Sequence, residues 1–221
     1  IANRLDSSTA GKAQGERNLY DGISLARVYE QGLQGINDNL GELNRLAVAA
    51  GNGLYSSADR QALQSEADGF IANIQQSLSS SDFAGKKLFD NARLDFSSGN
   101  GVLSIDTADV GATLSSQNLF SLDLSSASAA AASQGVIREA QEYIGSLQAQ
   151  TGASINSFNS AARNSGTQQV AQSEARSRIT DLDFAKATSQ KVAADILSNT
   201  SVSVAIQARV QQQQALSLFG G

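Results

Sequence analysis

No proline occurs in the 221 residues of this chain. A proline inside a helix removes a hydrogen bond and costs about 3 kcal/mol. A chain with none is therefore free to form helices of great length. Other absences narrow the functional classes. His and Cys are missing, which excludes conventional zinc, haem and iron–sulfur ligation and every Ser–His or Cys–His triad. No disulfide can form, so packing alone holds the fold and the redox compartment stays open. Met and Trp are also absent, and aromatic residues are only 5% of the chain, which suits slender helix packing. The net charge of −5 argues against nucleic acid as a partner. No apolar run approaches the ~18 residues of a membrane span. The first residues do not resemble a secretory signal, and a start at Ile1 suggests part of something longer.

Residues 1 to about 50 read as one helix. Leu19, Ile23, Ala26, Leu33, Ile36, Leu40, Leu43 and Ala47 recur mostly at steps of three, four or seven, a seam on one face. Gly11, Gly15, Gly22, Gly32, Gly35 and Gly41 each weaken that helix by up to ~1 kcal/mol relative to Ala. Isolated propensity cannot hold it, so a packing partner must, and small residues would let that partner come close. Gly51-Asn52-Gly53 is a helix stop of residues that tolerate the left-handed conformation. Ser56 or Ser57 can cap a second helix with Asp59 in its first turn. That helix, about 56–80, carries Leu63, Ala67, Phe70, Ile74 and Leu78 and should fold back antiparallel on the first.

Residues 83–126 change character. Leu94 and Phe96, then Val102, Leu103 and Ile105, flank Ser98-Gly99-Asn100-Gly101, a hairpin signal. Leu119 to Leu124 suggests a further strand. A second long seam follows at about 127–181: Ile137, Ala140, Ile144, Leu147, Thr151, Ile155, Phe158 and Ala162. Glu174 with Arg178, and Arg138 with Glu142, stand four apart for ion pairs of ~0.2–0.5 kcal/mol each. The last block, from Asp183, carries Val192, Ile196, Val202, Ile206 and Val210 before the polar run Gln211 to Gln214. The fold class is mainly α: an elongated, rod-like helical bundle or coiled coil with a small β-hairpin region. A 50-residue helix alone would span roughly 75 Å.

Several segments carry a family resemblance. IANRLDSSTAGKAQGERNLYDGISLA, NLGELNRLAVAAGNG, GLYSSADRQALQSE and DFAGKKLFD are similar to the N-terminal conserved region of bacterial flagellin. SEARSRITDLDFAKATSQKVAADIL and the closing QALSLF resemble its C-terminal conserved region. The order is the family's, and the segments cover most of the chain. The resemblance implies a subunit that polymerises into an extracellular flagellar filament, a mechanical propeller, exported by the flagellar type III system without a cleaved signal. Residues 1–182 would form the rod-like core domain and 183–221 a C-terminal helix of the inner filament core. Several dozen residues that precede IANRL in the family are absent here, and residues 90–126 leave no room for large outer domains, as in a minimal flagellin.

Implied partners are other copies of the chain, an export chaperone at the tail, and the filament cap and hook-junction proteins. Filament or core packing would use Leu19, Ile23, Leu33, Ile36, Leu40, Leu43, Ile144, Leu147, Ile155 and Phe158, and inner-domain packing Val192, Ile196, Val202, Ile206 and Val210. Toll-like receptor 5 is a further, weak partner. The family's receptor-contacting Arg aligns with Glu42, a reversal of charge, while Leu46 and Glu66 match the receptor-facing pattern. No cofactor, metal, nucleic acid or membrane is expected, and no residue is expected to be catalytic. Asp106, Asp109, Asp181 and Asp183 lack a His or Lys companion for acid–base work, so loop or cap roles fit them better; Asp181 or Asp183 would cap after a short break near Leu182. The many Ser and Thr leave O-linked glycosylation open without marking a site.

Ordering the tail costs ~1–2 kcal/mol per residue in backbone entropy. Each aliphatic side chain returns ~1.5–3 kcal/mol when buried. The tail should therefore be disordered in a free subunit and ordered by neighbours, by the missing N-terminal helix or by a chaperone. Three alternatives remain: a hook–filament junction protein, a flagellin with a metal-dependent protease insert, disfavoured by the missing His, and a generic coiled-coil adaptor.

Overall fold

The computed structural model describes residues 2–220. Helix α1 spans Ala2–Ala50 and α2 spans Ser57–Ser80. Two antiparallel strand pairs follow: β1 (Asp82–Phe83) with β2 (Lys86–Lys87), and β3 (Arg93–Ser97) with β4 (Val102–Asp106). A short helix α3 (Val110–Ser116) and a 3₁₀ turn at Leu119–Ser121 lead into α4, Ala127–Phe219. The chain divides into two units, Ala10–Gln168 and a second made of Ile1–Thr9 with Gln169–Gly221.

In the first unit, α1 and α4 run antiparallel in a fixed register. Lys12 Nζ reaches Gln168 at 2.6 Å, Gly22 lies under Phe158, Gln148 Nε2 reaches Gln34 at 3.2 Å, and Gln134 Nε2 reaches the Ala47 carbonyl at 3.2 Å. As the residue number climbs along α1 it falls by similar steps along α4. Helix α2 returns along α1 in the same sense: Arg60 meets Ala50, Arg45 meets Glu66, and Gly32 faces Ser81 and Phe89. The three helices bury one continuous core. Leu19, Ile23, Leu33, Ile36, Leu40 and Leu43 come from α1, Ala67, Ile71 and Ile74 from α2, and Ile137, Ile144 and Phe158 from α4. Each of the larger aliphatic side chains contributes ~1.5–3 kcal/mol on full burial, which offsets the weak propensity of a glycine-rich helix.

The hairpin forms where its sequence predicts, with the Ser97–Val102 pair closing a four-residue turn and Gly99 at φ +76°. Leu94 and Ile105 point into the core. Its base is tied by Thr107, whose N–H and Oγ1 both donate to the Ala92 carbonyl, at 2.8 and 3.1 Å. Its tip rests on α1, where Asn18 Nδ2 donates to the Ser97 carbonyl at 2.9 Å.

Four local expectations are corrected. Within 119–124, Leu119–Ser121 form a 3₁₀ turn and the rest is irregular, with no strand, because Asn118 takes a left-handed φ of 64° and turns the chain before a strand can extend. The β1–β2 pair and α3 are additions to the predicted elements: Ala84 (φ 51°) and Gly85 (φ 78°) supply the two positive angles of a tight hairpin turn, and Asp109 caps α3 by accepting from Ala112 N at 2.8 Å. No break occurs near Leu182, since α4 runs straight through it with no proline or competing cap to stop it. Finally, the stop at Gly51-Asn52-Gly53 uses no left-handed residue. The loose carbonyls there are taken up by a side chain from α2, which makes such a residue unnecessary.

Candidate assembly surface

That side chain is Arg60. Its Nε donates to the Ala50 carbonyl at 2.8 Å, Nη1 to the Tyr55 carbonyl at 2.7 Å and Nη2 to the Asn52 carbonyl at 2.9 Å. A guanidinium carries enough N–H donors to serve all three acceptors at once, and a cation is favourable at a helix C-terminus. The sequence reading missed this clamp. An Arg in the first turn of a returning helix, just after a glycine-rich stop, was the available signal. Ser56 is the cap of α2 and forms a full capping box: its Oγ accepts from Asp59 N, and Asp59 accepts from Ser56 N at 2.9 Å. Those Ser56 hydrogen bonds hold the Asp59 carboxyl below its ordinary range.

The predicted seam positions separate into two sets. Leu19, Ile23, Leu33, Ile36, Leu40, Leu43, Ile144, Leu147 and Phe158 are buried within the chain, and Ile155 is partly buried. They belong to the subunit's own core. Val192, Ile196, Val202, Ile206 and Val210 are exposed, at 48–61% of their surface. Leu182 and Phe184, at 71% and 74%, extend the same uncovered apolar surface. Every described residue from 180 to 213 is exposed. Within the second unit, Arg176 Nε lies 2.7 Å from Asp6 Oδ1, and Thr9 Oγ1 donates to Gln172 at 3.3 Å.

The glycines of α1 split in the same way. A Cβ at Gly15 would meet the Ser98 backbone at 2.3 Å, at Gly22 the Phe158 ring at 2.3 Å, and at Gly32 the Phe89 ring at 2.8 Å. These three are small because the chain packs on them. Gly11, Gly35 and Gly41 face open space.

Of the three receptor-surface positions, Leu46 is fully buried in the core and presents nothing to solvent, because the α1 seam takes it inward. Glu42 and Glu66 are exposed and share Arg45, at 2.7 and 3.2 Å. Of the carboxylates weighed for chemistry, Asp109 is a cap, Asp106 stands 3.9 Å from Arg93, and Asp181 accepts from Ser177 Oγ. Glu174 and Arg178 pair at 3.4 Å, whereas Arg138–Glu142 is not among the ion pairs of the described residues. Among the described residues Tyr29 is the one buried ionisable group in the core. Its hydroxyl accepts from Ala108 N at 3.2 Å, its ring lies 5.1 Å from that of Phe89, and burial pushes its phenol above the ordinary 10.0. Among the described residues no cluster of acidic side chains could hold a metal ion, and no helix is long and apolar enough to cross a membrane.

An antiparallel helical bundle with two short strand pairs, continued by a helix whose residues 180–213 are all exposed, now has direct counterparts. Residues 1–93 match the bacterial flagellin N-terminal helical region, and residues 135–219 match the bacterial flagellin C-terminal helical region. The chain belongs to the flagellin family. Flagellin from Serratia marcescens is 37% identical over 91 residues, which is 41% of this chain and 26% of the relative, so the chain spans about a quarter of that flagellin. A flagellar filament 30.7 kDa core protein of Treponema maltophilum is 26% identical over 99% of this chain and 83% of its own length. A crystal structure of Bacillus cereus flagellin shares the fold, with a TM-score of 0.62, 20% identity, and coverage of 67% of this chain and 88% of that one. A putative flagellar hook-associated protein from Vibrio parahaemolyticus shares it too, at a TM-score of 0.67, 12% identity, and 80% and 95% coverage. The last two bear on fold alone.

Within the flagellin family this chain is a short form. Between the end of the N-terminal match and the start of the C-terminal one it holds the β3–β4 hairpin, α3 and the 3₁₀ turn, with no outer domain.

Proposed function

We propose that this flagellin-family chain is a structural subunit that polymerises into a bacterial flagellar filament and has no catalytic role. The observation that carries the reading is the apolar surface from Leu182 to Val210, exposed on a helix that no other described residue covers. An isolated helix gains little from propensity alone, and most helical stability in proteins comes from packing an apolar face. Neighbouring copies supply that packing, with residues 183–221 in the inner part of the filament and the bundle outside it. Gly35 and Gly41, open within one chain, are where a neighbouring helix would come close.

The same exposed tail suits an export chaperone that shields it before assembly, and an exported subunit that meets the filament cap and hook-junction proteins on arrival. The Glu42–Arg45–Glu66 group makes the corresponding surface a poor ligand for Toll-like receptor 5. Filament formation is read directly by negative-stain electron microscopy of the full-length protein. Long, uniform filaments are expected. Soluble dimers or short caps under polymerising conditions contradict the reading, the dimers in favour of a coiled-coil adaptor and the caps in favour of a junction protein.

A further inference from the structure

We infer that Asn52 is a site of self-promoted deamidation, driven by the hydrogen bonds of the α1–α2 turn. This goes beyond the filament reading and does not depend on it. The chain holds two Asn-Gly steps, Asn52-Gly53 and Asn100-Gly101. At such a step the following residue has no side chain to block attack by its own nitrogen. Both steps are exposed and outside regular structure, yet their surroundings differ.

At Asn52 the carbonyl oxygen of the Asn52–Gly53 peptide accepts from two donors. One is the Arg60 guanidinium, Nη2 at 2.9 Å, and the other is Tyr55 N at 3.3 Å. When the Gly53 nitrogen loses its proton, the negative charge is shared with that oxygen, so a cationic donor there favours the nucleophilic form. The electrophile is activated as well. Leu54 N donates to Asn52 Oδ1 at 3.0 Å, where charge builds up as Cγ is attacked. Asn100 is arranged the other way. Its amide nitrogen, the leaving group, donates to Gln168 Oε1 at 3.0 Å, an oxygen that also accepts from Lys12.

The step is balanced without oxidant or reductant. A base from solvent takes the Gly53 amide proton. The Gly53 nitrogen attacks Asn52 Cγ, and the new N–Cγ bond closes a five-membered imide. The Cγ–Nδ2 bond breaks, and the nitrogen leaves as ammonia after taking up a proton from water. A water molecule then opens the imide at either carbonyl, leaving aspartate or isoaspartate. Either product puts a carboxylate beside Arg60, and isoaspartate adds a methylene to the backbone at the reversal between α1 and α2. Arg60 is a positioning residue in this scheme.

The test is a time course of the full chain at neutral pH, digested and read by electron-transfer mass spectrometry for aspartate and isoaspartate at both positions. Asn52 converts faster than Asn100 and faster than Asn52 in a free peptide of the same local sequence. Arg60→Gln slows Asn52 by about tenfold, the worth of one hydrogen bond to a charged group, and leaves Asn100 unchanged. Gly53→Ala also slows it; a Cβ there meets open space, so the fold is kept. Conversion of Asn52 slower than its free peptide, or no faster than Asn100, overturns the inference. If Arg60→Gln loosens the fold, Asn100 accelerates toward its own peptide's rate. The comparison of Asn52 with its free peptide in the unsubstituted chain then decides alone.

Discussion

The ring of Phe158 lies directly on Gly22: a Cβ at Gly22 would stand 2.3 Å from Phe158 Cε1. Phe158 is itself almost fully buried and meets Phe96 edge-on at 5.5 Å, so its ring has no room to retreat. Gly22→Ala should therefore cost about 1–3 kcal/mol through overpacking. Gly41→Ala, where the Cβ enters open space, should raise the stability of the free subunit by up to ~1 kcal/mol through helix propensity. Urea unfolding of the two variants checks the opposite signs. If Gly41 lies at a contact between copies, the stabilised Gly41→Ala subunit also polymerises poorly, which sedimentation of filaments measures.

A second prediction concerns alkaline pH. Burial raises the Tyr29 phenol above 10.0, so the unfolded chain releases that proton first. The contribution from Tyr29 is thus fully present below about pH 10 and is lost as pH rises toward the folded-state value. Tyr29→Phe should flatten this alkaline fall. At neutral pH it should cost about 0.5–1.5 kcal/mol, because the Ala108 N–H loses its acceptor. Denaturant melts across an alkaline pH series separate the two effects. An unchanged alkaline slope in the variant would assign the fall to other groups.

How far the residues themselves announced this architecture varies from place to place. The α1 seam from Leu19 to Ala47 was legible because burial on one helical face leaves a periodic apolar pattern. The hairpin was legible because Ser98-Gly99-Asn100-Gly101 is turn chemistry between apolar runs. The Ser56–Asp59 cap followed from residue type and spacing. The β1–β2 turn was not legible, because Ala84 at φ 51° is a residue that seldom takes that angle and nothing local favours it. The Arg60 clamp was not legible either: its acceptors lie up to ten residues away, on the preceding helix and turn. At the candidate site, periodicity marked Val192 to Val210 as apolar but could not tell a buried stripe from an uncovered one, since both repeat alike. Leu46 read as a surface position for another reason, its match to the family's receptor-facing pattern, whereas the α1 seam takes it into the core.

A third prediction concerns innate recognition. Glu42 sits where the resembled family pattern carries an Arg, and it spends its carboxylate on Arg45, which also reaches Glu66. A receptor surface complementary to a cation meets like charge here, and such juxtapositions cost several kcal/mol in affinity. Weak or absent activation of Toll-like receptor 5 is expected in a cell reporter assay, with Glu42→Arg raising the response. Potency equal to that of an enteric flagellin would overturn it.

The central claim is that the helix from about residue 183 onward is held by neighbouring copies, since its own chain leaves residues 180–213 exposed. Amide hydrogen exchange, compared between the soluble full-length subunit and its assembled filaments, measures that coupling most directly. The account predicts rapid exchange beyond Leu197 in the subunit and strong protection of the same amides in the filament. Equal, strong protection in the lone subunit would contradict it.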